Sequence, residues 1–435
     1  MSVSVAIVGT GPAGFYAADA LLKRGGDCRI DLIDRLPTPY GLIRFGVAPD
    51  HQTTKNVSNS FERTAARDEV CFLGNVEIGR DVSLDELRGL YDAVILAVGA
   101  GADRALGIPG EDKRGVIGSA AFVGWYNVHP DLRGLDPPLE TAAAVIIGHG
   151  NVAIDAARVL VKTPEEMADS DLPDYAGAAI QASAITDVYL VGRRGPIQAK
   201  FTNKELREMG HLEEAVALAD PAQLPADVGD LEDERERRVK PKILATLKEF
   251  AEHEPDEKAK RVRFQFFAQP VEVLGGDAVE GVRFERTKLE DGRAAGTGEF
   301  YDIKCGLVIP AVGYRSDPVP GAPFDDKRGI VVNEEGRVGD GLYAVGWIKR
   351  GPTGVIATNR PDGVIVAEYV AADFPEGSKP GREALMVLLK ERGVRPVSFD
   401  DWKTIERAEI EAATPHAPRR KLATVDEMLA VLGED

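Results

Sequence analysis

Cysteine is scarce in this chain. Cys28, Cys71 and Cys305 stand far apart, with no CxxC pair and no four-ligand set. A dithiol relay, a structural zinc site or a cysteine-held iron–sulfur cluster needs clustered thiols. No metal site is therefore expected, and any redox chemistry must come from a bound organic cofactor. Long apolar runs are missing as well. The longest, such as Ala93–Val98 and Ala142–Ile147, are strand-length, against the roughly 18–20 residues needed to cross a bilayer. The first apolar strand begins at Val3, leaving no room for a signal or transit peptide, so a cytoplasmic protein is expected. Positive charge is also in deficit: 53 Lys and Arg face 71 Asp and Glu, a net −18. Such a surface repels nucleic acid and anionic membrane, so neither is an expected partner.

What is present is organised twice over. At 435 residues the chain exceeds the length at which one core stops growing, which predicts two domains. Val3–Val8 reads as a strand, Gly9–Gly14 as a glycine turn, Phe15–Lys23 as a helix and Cys28–Ile33 as a second strand. The order recurs at Ala143–Ile147, Gly148–Ala153, Ile154–Val161 and, after an insertion, Thr186–Val191. A strand–turn–helix–strand unit met twice predicts two doubly wound α/β domains, each with its own dinucleotide. Gly101–Gly110 is loop-like, and Pro and Gly break the pattern again at Ala311–Pro320. The expected arrangement is therefore nested. Residues 1–103 and 313–435 would form an FAD-binding domain, and residues 104–312 an inserted NADP-binding domain. The tail from Phe374 reads as helical and acidic in places, with no legible role.

Gly9-Thr10-Gly11-Pro12-Ala13-Gly14 fits GxGxxG between a strand and a helix. Its glycines allow a tight turn, close backbone approach to a pyrophosphate, and close helix–strand packing, with the anion on the helix N-terminus. The next strand ends in Asp34, placed where a carboxylate accepts from an adenosine ribose. Taken singly, the turn could be plain packing and Asp34 a solvated strand-end acid. Tyr91–Gly99 and Leu342–Gly346 each read as a buried strand ending in glycine, as expected beside a flavin.

Gly148-His149-Gly150-Asn151-Val152-Ala153 fits GxGxxA, and the strand Val188–Val191 is followed by Gly192-Arg193-Arg194. Where an NAD site would place an acid, two guanidinium groups stand. They suit the 2′-phosphate of NADP, which a carboxylate would repel. An exposed arginine pair after a strand is the bland alternative.

Leu36–His51 (LPTPYGLIRFGVAPDH), the GRRGP continuation, Lys204–Met209 (KELREM), Trp347–Ile356 (WIKRGPTGVI) and Gly393–Trp402 together resemble adrenodoxin reductase-type ferredoxin–NADP reductases, within the glutathione reductase-like superfamily. The resemblance implies electron flow from NADPH through FAD, singly, to an iron–sulfur protein. It implies FAD contacts at Ala13, Asp34, Leu42, Ile78, Trp347, Gly354, Val355 and Ile356. It implies NADP contacts at Arg104, His149, Gly150, Asn151, Val152, Arg193, Arg194, Glu205 and Gly354. His51 and Glu208 match a catalytic pair near the two rings, although His51 also reads as a surface residue after Pro49-Asp50. Asp34 departs from the usual Glu. The acceptor is expected to be a separate acidic [2Fe-2S] or other ferredoxin, serving a downstream cytochrome P450 or other oxygenase. Arg235, Arg237, Arg238, Lys240 and Lys242, helped by Lys349 and Arg350, are candidates for docking it, against the alternative of a solvated charge run. A quinone-reducing diaphorase and a non-enzymatic dinucleotide sensor remain as other readings.

Overall fold

The computed structural model describes residues 2–433, and the chain separates into two compact units. One holds residues up to Ala102, residues 127–133, and everything from Tyr314 onward; the other holds Asp103–Tyr126 and Gly134–Gly313.

The first unit is built on a six-stranded sheet. Its order is Arg337–Gly339, Leu342–Ala344, Ala93–Leu96, Val3–Val8, Cys28–Ile33, Val70–Leu73, all parallel except the first strand. Val3–Val8 is buried along its whole length, as the central strand of a parallel sheet covered on both faces must be. Alternate residues serve opposite faces. Val5 and Ile7 pack with residues of the helices Pro12–Arg24 and Arg360–Asp373, while Ala6 and Val8 pack with Leu84, Leu87, Leu385 and Leu389. The helix Pro12–Arg24 starts three residues before its apolar stretch, because Pro12 is preset for the first helical position and Gly11 precedes it as N-cap.

The tail acquires a role here. Trp402 is fully buried, edge-on to Tyr40 at 6.0 Å, with the Arg44 guanidinium 5.2 Å from its ring centre. Both terminal nitrogens of Arg44 donate to the fully buried Glu409, Nη1 at 2.9 Å. Glu409 also accepts from the Leu422 N–H at 2.9 Å, and Lys421 Nζ donates to the Arg44 carbonyl at 2.9 Å. The tail therefore clamps the short helix Leu42–Phe45, which sits inside the long motif after the second strand.

The second unit has a five-stranded parallel sheet in the order Leu307–Pro310, Ala143–Ile147, Asp187–Val191, Lys260–Gln265, Ala215–Ala219. An antiparallel meander, Ala268–Leu274, Gly281–Glu290 and Arg293–Lys304, is inserted between its strands Lys260–Gln265 and Leu307–Pro310. Helix Asn151–Val161 follows the second glycine turn and again begins three residues before the expected apolar run. The insertion before Asp187 carries the helix Asp174–Gln181.

Breaking a buried ion pair from one side leaves an uncompensated charge, whereas replacing both partners with apolar groups is often neutral. Glu409→Gln is expected to destabilise the first unit by about 3–5 kcal/mol, read as a lower urea midpoint. The Arg44→Met/Glu409→Leu double variant should regain most of that loss.

Candidate cofactor sites

The first glycine turn leaves a helix start open. Gly9 has φ +104°, and a Cβ there would lie 2.5 Å from the Ala97 carbonyl oxygen. Glycine thus lets the turn pass against the neighbouring strand. Gly11 caps helix Pro12–Arg24 without any side-chain hydrogen bond. The nearest atom to a Cβ added at Gly11 would be the Gly41 Cα, 4.0 Å away. The donors of the first turn, at Ala13 and Gly14, are therefore offered to a group from outside the chain, and the helix dipole favours an anion there. A dinucleotide pyrophosphate fits this donor set.

Two distant segments converge on the same turn. A Cβ on Gly41 (φ +49°) would stand 2.9 Å from the Gly11 Cα, which sets Leu42 beside the turn. Gly346 would meet the Ala13 Cβ at 2.5 Å, which sets Trp347 there as well. Asp34 is tied inward: Oδ2 accepts from the Thr10 N–H at 2.9 Å and hydroxyl at 2.6 Å, and Oδ1 accepts from the Leu36 N–H at 3.1 Å. Burial pushes its pKa up, and these donors only partly offset that. A carboxylate has about four lone-pair sites, so one acceptor position is left for a ribose hydroxyl. Asp34 is thus first a brace of the turn. Ile78 packs under the face that carries Val8 and Leu96. Thr38 Oγ1, in the same region of the chain, is buried without a partner, a polar residue that sequence reasoning passed over.

Gly354 (φ +86°), Val355 and Ile356 precede the turn Ile356–Asn359 that leads into helix Arg360–Asp373. Val355 is 61% exposed. Asp362 organises this stretch, accepting from the Gly346 N–H at 3.0 Å, from Lys349 Nζ at 2.9 Å and from Arg350. Arg350 donates onward to Asn359 Oδ1 at 2.8 Å. Lys349 and Arg350 are therefore internal struts. One shared carboxylate offsets only one of their two positive charges, so the stretch keeps a net positive charge.

The second turn repeats the design. Gly148 (φ +146°) would place a Cβ 2.3 Å from the Ala311 carbonyl oxygen. Gly150 is an N-cap with no side-chain hydrogen bond, and a Cβ there would meet nothing within 4 Å. Asn151 Oδ1 accepts from the Thr202 N–H at 2.8 Å, and Val152 is half-buried in the first helical turn. The His149 ring turns inward. Nε2 lies 3.0 Å from the Leu190 carbonyl, and the ring packs edge-on to Phe266 and Phe201. A Cβ on Gly192 would come within 2.3 Å of His149 Nδ1, so the glycine before the arginine pair makes room for the imidazole. The His149 carbonyl is occupied too, by the Lys200 and Phe201 N–H groups. Arg193 is exposed and Arg194 half-buried, and among the described residues neither is paired with a carboxylate. Glu205 Oε2 and Asn203 Oδ1 are buried without partners among the described residues. Orphan acceptors are costly and mark a site completed by donors from outside. Asn203 has no sequence signal beyond its place beside the KELREM stretch. Arg104 is exposed, its N–H donating to the Gly313 carbonyl at 3.1 Å.

The pyridine nucleotide-disulphide oxidoreductase family matches residues 3–216. The chain is 44% identical to the mitochondrial NADPH:adrenodoxin oxidoreductase of Arabidopsis thaliana over 98% of its own length and 94% of that protein. It is 41% identical to the NADPH-ferredoxin reductase FprA of Mycobacterium tuberculosis, over 98% of each. The solved structure of FprA in complex with NADPH superposes with a TM-score of 0.93 at 40% identity, covering both chains fully. The chain belongs to the adrenodoxin reductase-type ferredoxin–NADP reductases.

The expected pair, Glu208 and His51, falls on helices of different units. Glu208 ends the helix Asn203–Glu208 in the second unit, where Arg158 Nη1 donates to its Oε2 at 2.9 Å while Nη2 donates to Asp155 at 2.8 Å. Its carboxylate thus anchors helix Asn203–Glu208 to helix Asn151–Val161. His51 caps the short helix Gln52–Lys55 in the first unit. The expected docking cluster also loses a member. Lys240 is 6% exposed, and its Nζ donates to the Ala199 carbonyl at 2.7 Å. The apolar face of helix Glu234–Phe250 carries it inward. Arg238 is paired with Glu234, while Arg235, Arg237 and Lys242 remain exposed.

Burial brings the His149 pKa down to about 4, against the hydrogen bond to Leu190. The folded form therefore resists a proton that the unfolded chain accepts near pH 6.5. Stability is full above that pH and falls as pH drops from 6.5 toward 4, by about 3 kcal/mol for this group. His149→Gln is expected to flatten the stability–pH curve in that window, measured as the wild-type-minus-variant difference in urea midpoint.

Proposed function

We infer that this chain is an NADPH-dependent flavoprotein oxidoreductase that delivers electrons to a ferredoxin-type protein. The observation that carries the reading is the pair of uncapped helix starts at Gly11 and Gly150, the second followed by two guanidinium groups without carboxylate partners. FAD, when bound, accepts the two electrons of a hydride from NADPH and releases them one at a time.

The chain's own groups bind and orient. Ala13 and Gly14 amides hold the flavin pyrophosphate, Asp34 offers its remaining acceptor site to the ribose, and Leu42, Ile78 and Trp347 line the flavin. The N–H groups of Gly354, Val355 and Ile356 make no backbone hydrogen bond and lie at a helix start, where they stabilise negative charge on a reduced ring. In the second unit the Gly150, Asn151 and Val152 amides take the NADP pyrophosphate, Glu205 a ribose hydroxyl, and Arg193 and Arg194 the 2′-phosphate; Arg104 supports NADP binding. His51 and Glu208 are assigned to tuning the field at the reacting rings, with Arg158 holding Glu208 in place.

The acceptor is read as an acidic [2Fe-2S] ferredoxin supplying a cytochrome P450 or other oxygenase. Arg235, Arg237 and Lys242 are the cations of the original cluster still available to it. The three cysteines are unpaired thiols, which suits a reducing cytoplasm, and among the described residues no helix is long and apolar enough to cross a membrane.

Anaerobic titration tests the whole reading: NADPH should bleach a yellow preparation, and an added ferredoxin should reoxidise it faster than quinones do. A colourless preparation, or preference for quinones, overturns it. Arg193→Ala and Arg194→Ala should each raise the NADPH KM roughly 10–100-fold while leaving the NADH KM nearly unchanged. Ferredoxin reduction should also slow as salt rises; a rate indifferent to ionic strength removes the docking assignment.

A further inference from the structure

Lys240 presents an unusual electrostatic situation. It sits in helix Glu234–Phe250 and is 6% exposed, and among the described residues no carboxylate forms an ion pair with it. Among the described residues its acceptor is the Ala199 carbonyl, at 2.7 Å. Buried charges are ordinarily paired, since an isolated one is expensive to remove from water. After burial, the strongest charge acting on it is Glu236, one helical turn earlier, with Lys200 and Arg194 of its own sign weaker. Burial holds the Lys240 pKa below its usual value, and the charges of Lys200 and Arg194 press the same way against the opposing pull of Glu236. In a chain of net charge −18, a group of cations lacking carboxylate partners is a place prepared for an anion.

Connectivity says what that place serves. Ala199 lies in the segment that follows the arginine pair. The next two residues return to the glycine turn: the Lys200 N–H donates to the His149 carbonyl at 2.7 Å and the Phe201 N–H donates to it at 3.0 Å. Lys240 thus grips, through Ala199, the strap that joins the phosphate-binding turn to Arg193 and Arg194.

We propose that Lys240 is a specificity-determining positioning residue of the NADPH site: its buried ammonium fixes the 195–201 strap through Ala199 and adds positive charge on the Arg194 side of the site, favouring the phosphorylated nucleotide over the unphosphorylated one. The proposal rests on the reading of those arginines as the grip on the 2′-phosphate. It moves Lys240 from an outer docking surface to the discrimination between NADPH and NADH.

The test uses the flavin-loaded enzyme and three variants, Lys240→Met, Lys240→Gln and Arg194→Ala. The probes are adenosine 2′-monophosphate and adenosine 5′-monophosphate by calorimetry, with KM and kcat for NADPH and NADH. Lys240→Met should weaken adenosine 2′-monophosphate and raise the NADPH KM by about tenfold, with the 5′ isomer and the NADH KM unmoved. The thermal midpoint should not fall, because an unpaired buried charge has been removed. Lys240→Gln keeps a donor for Ala199 without the charge, so a smaller loss with Gln than with Met separates strap from charge; it also serves if Lys240→Met fails to fold. Equal losses for both nucleotides, or none for either, overturn the proposal. If Arg194→Ala leaves the preference for NADPH intact, the underlying 2′-phosphate reading fails instead.

Discussion

The structure depends on two helix starts whose first-turn amides are satisfied by no side chain of the chain itself. A helix beginning usually recruits Ser, Thr, Asp or Asn as its cap, and this chain does so at Ser83, Ser398 and Thr424, each in a full capping box. At Gly11 and Gly150 it does not. Those amides and the dipole behind them are open to an anion from outside the chain. The neighbouring backbone must then approach without side chains, which accounts for Gly9 against Ala97 and Gly148 against Ala311. Much of the first unit is arranged around the same need, with Gly41 and Gly346 passing over the turn closely enough that a methyl group would collide.

An acidic protein that binds two polyanionic cofactors must ration its positive charge. Many of its cations are committed internally. Arg44 is consumed by Glu409 and Arg158 by Asp155 and Glu208, while Lys349 and Arg350 share Asp362. These pairs brace elements: the tail onto the Leu42–Phe45 turn, one helix of the second unit onto another, and the Trp347 segment onto helix Arg360–Asp373. The cations left without carboxylate partners then carry the binding information. Of these, Lys240 is buried and Arg194 half-buried, and a lower local dielectric strengthens the attraction of such a charge for an anion.

Local pattern made the scaffold legible. Val3–Val8 and Ala143–Ile147 are strands at the residues where near-continuous apolar runs ahead of glycine turns place them, because burial on both faces of a parallel sheet leaves a one-dimensional trace. The two glycine turns and the arginine pair were equally plain, since their chemistry lies in contiguous residue types. The family followed from long motifs whose order along the chain is itself the information.

Burial and partnership are long-range properties, and these the chain decided only on folding. A run such as Arg235–Lys242 reads as one basic patch, yet a helix turns 100° per residue, so Lys240 faces inward to Ala199 while Arg235 and Lys242 face out. Lys349 and Arg350 look like surface cations until Asp362 arrives from the next helix. Asp34 reads as a strand-end acid, and only the fold shows that it also braces the turn through Thr10 and Leu36. The tail, silent as sequence, becomes a brace because Trp402 and Glu409 meet Arg44 across hundreds of residues. Residue types in order determined which cofactors the chain can hold. Three-dimensional pairing of charges decided which of its ionic groups are free to hold them, because a charge acts on a ligand only where no closer partner has already neutralised it.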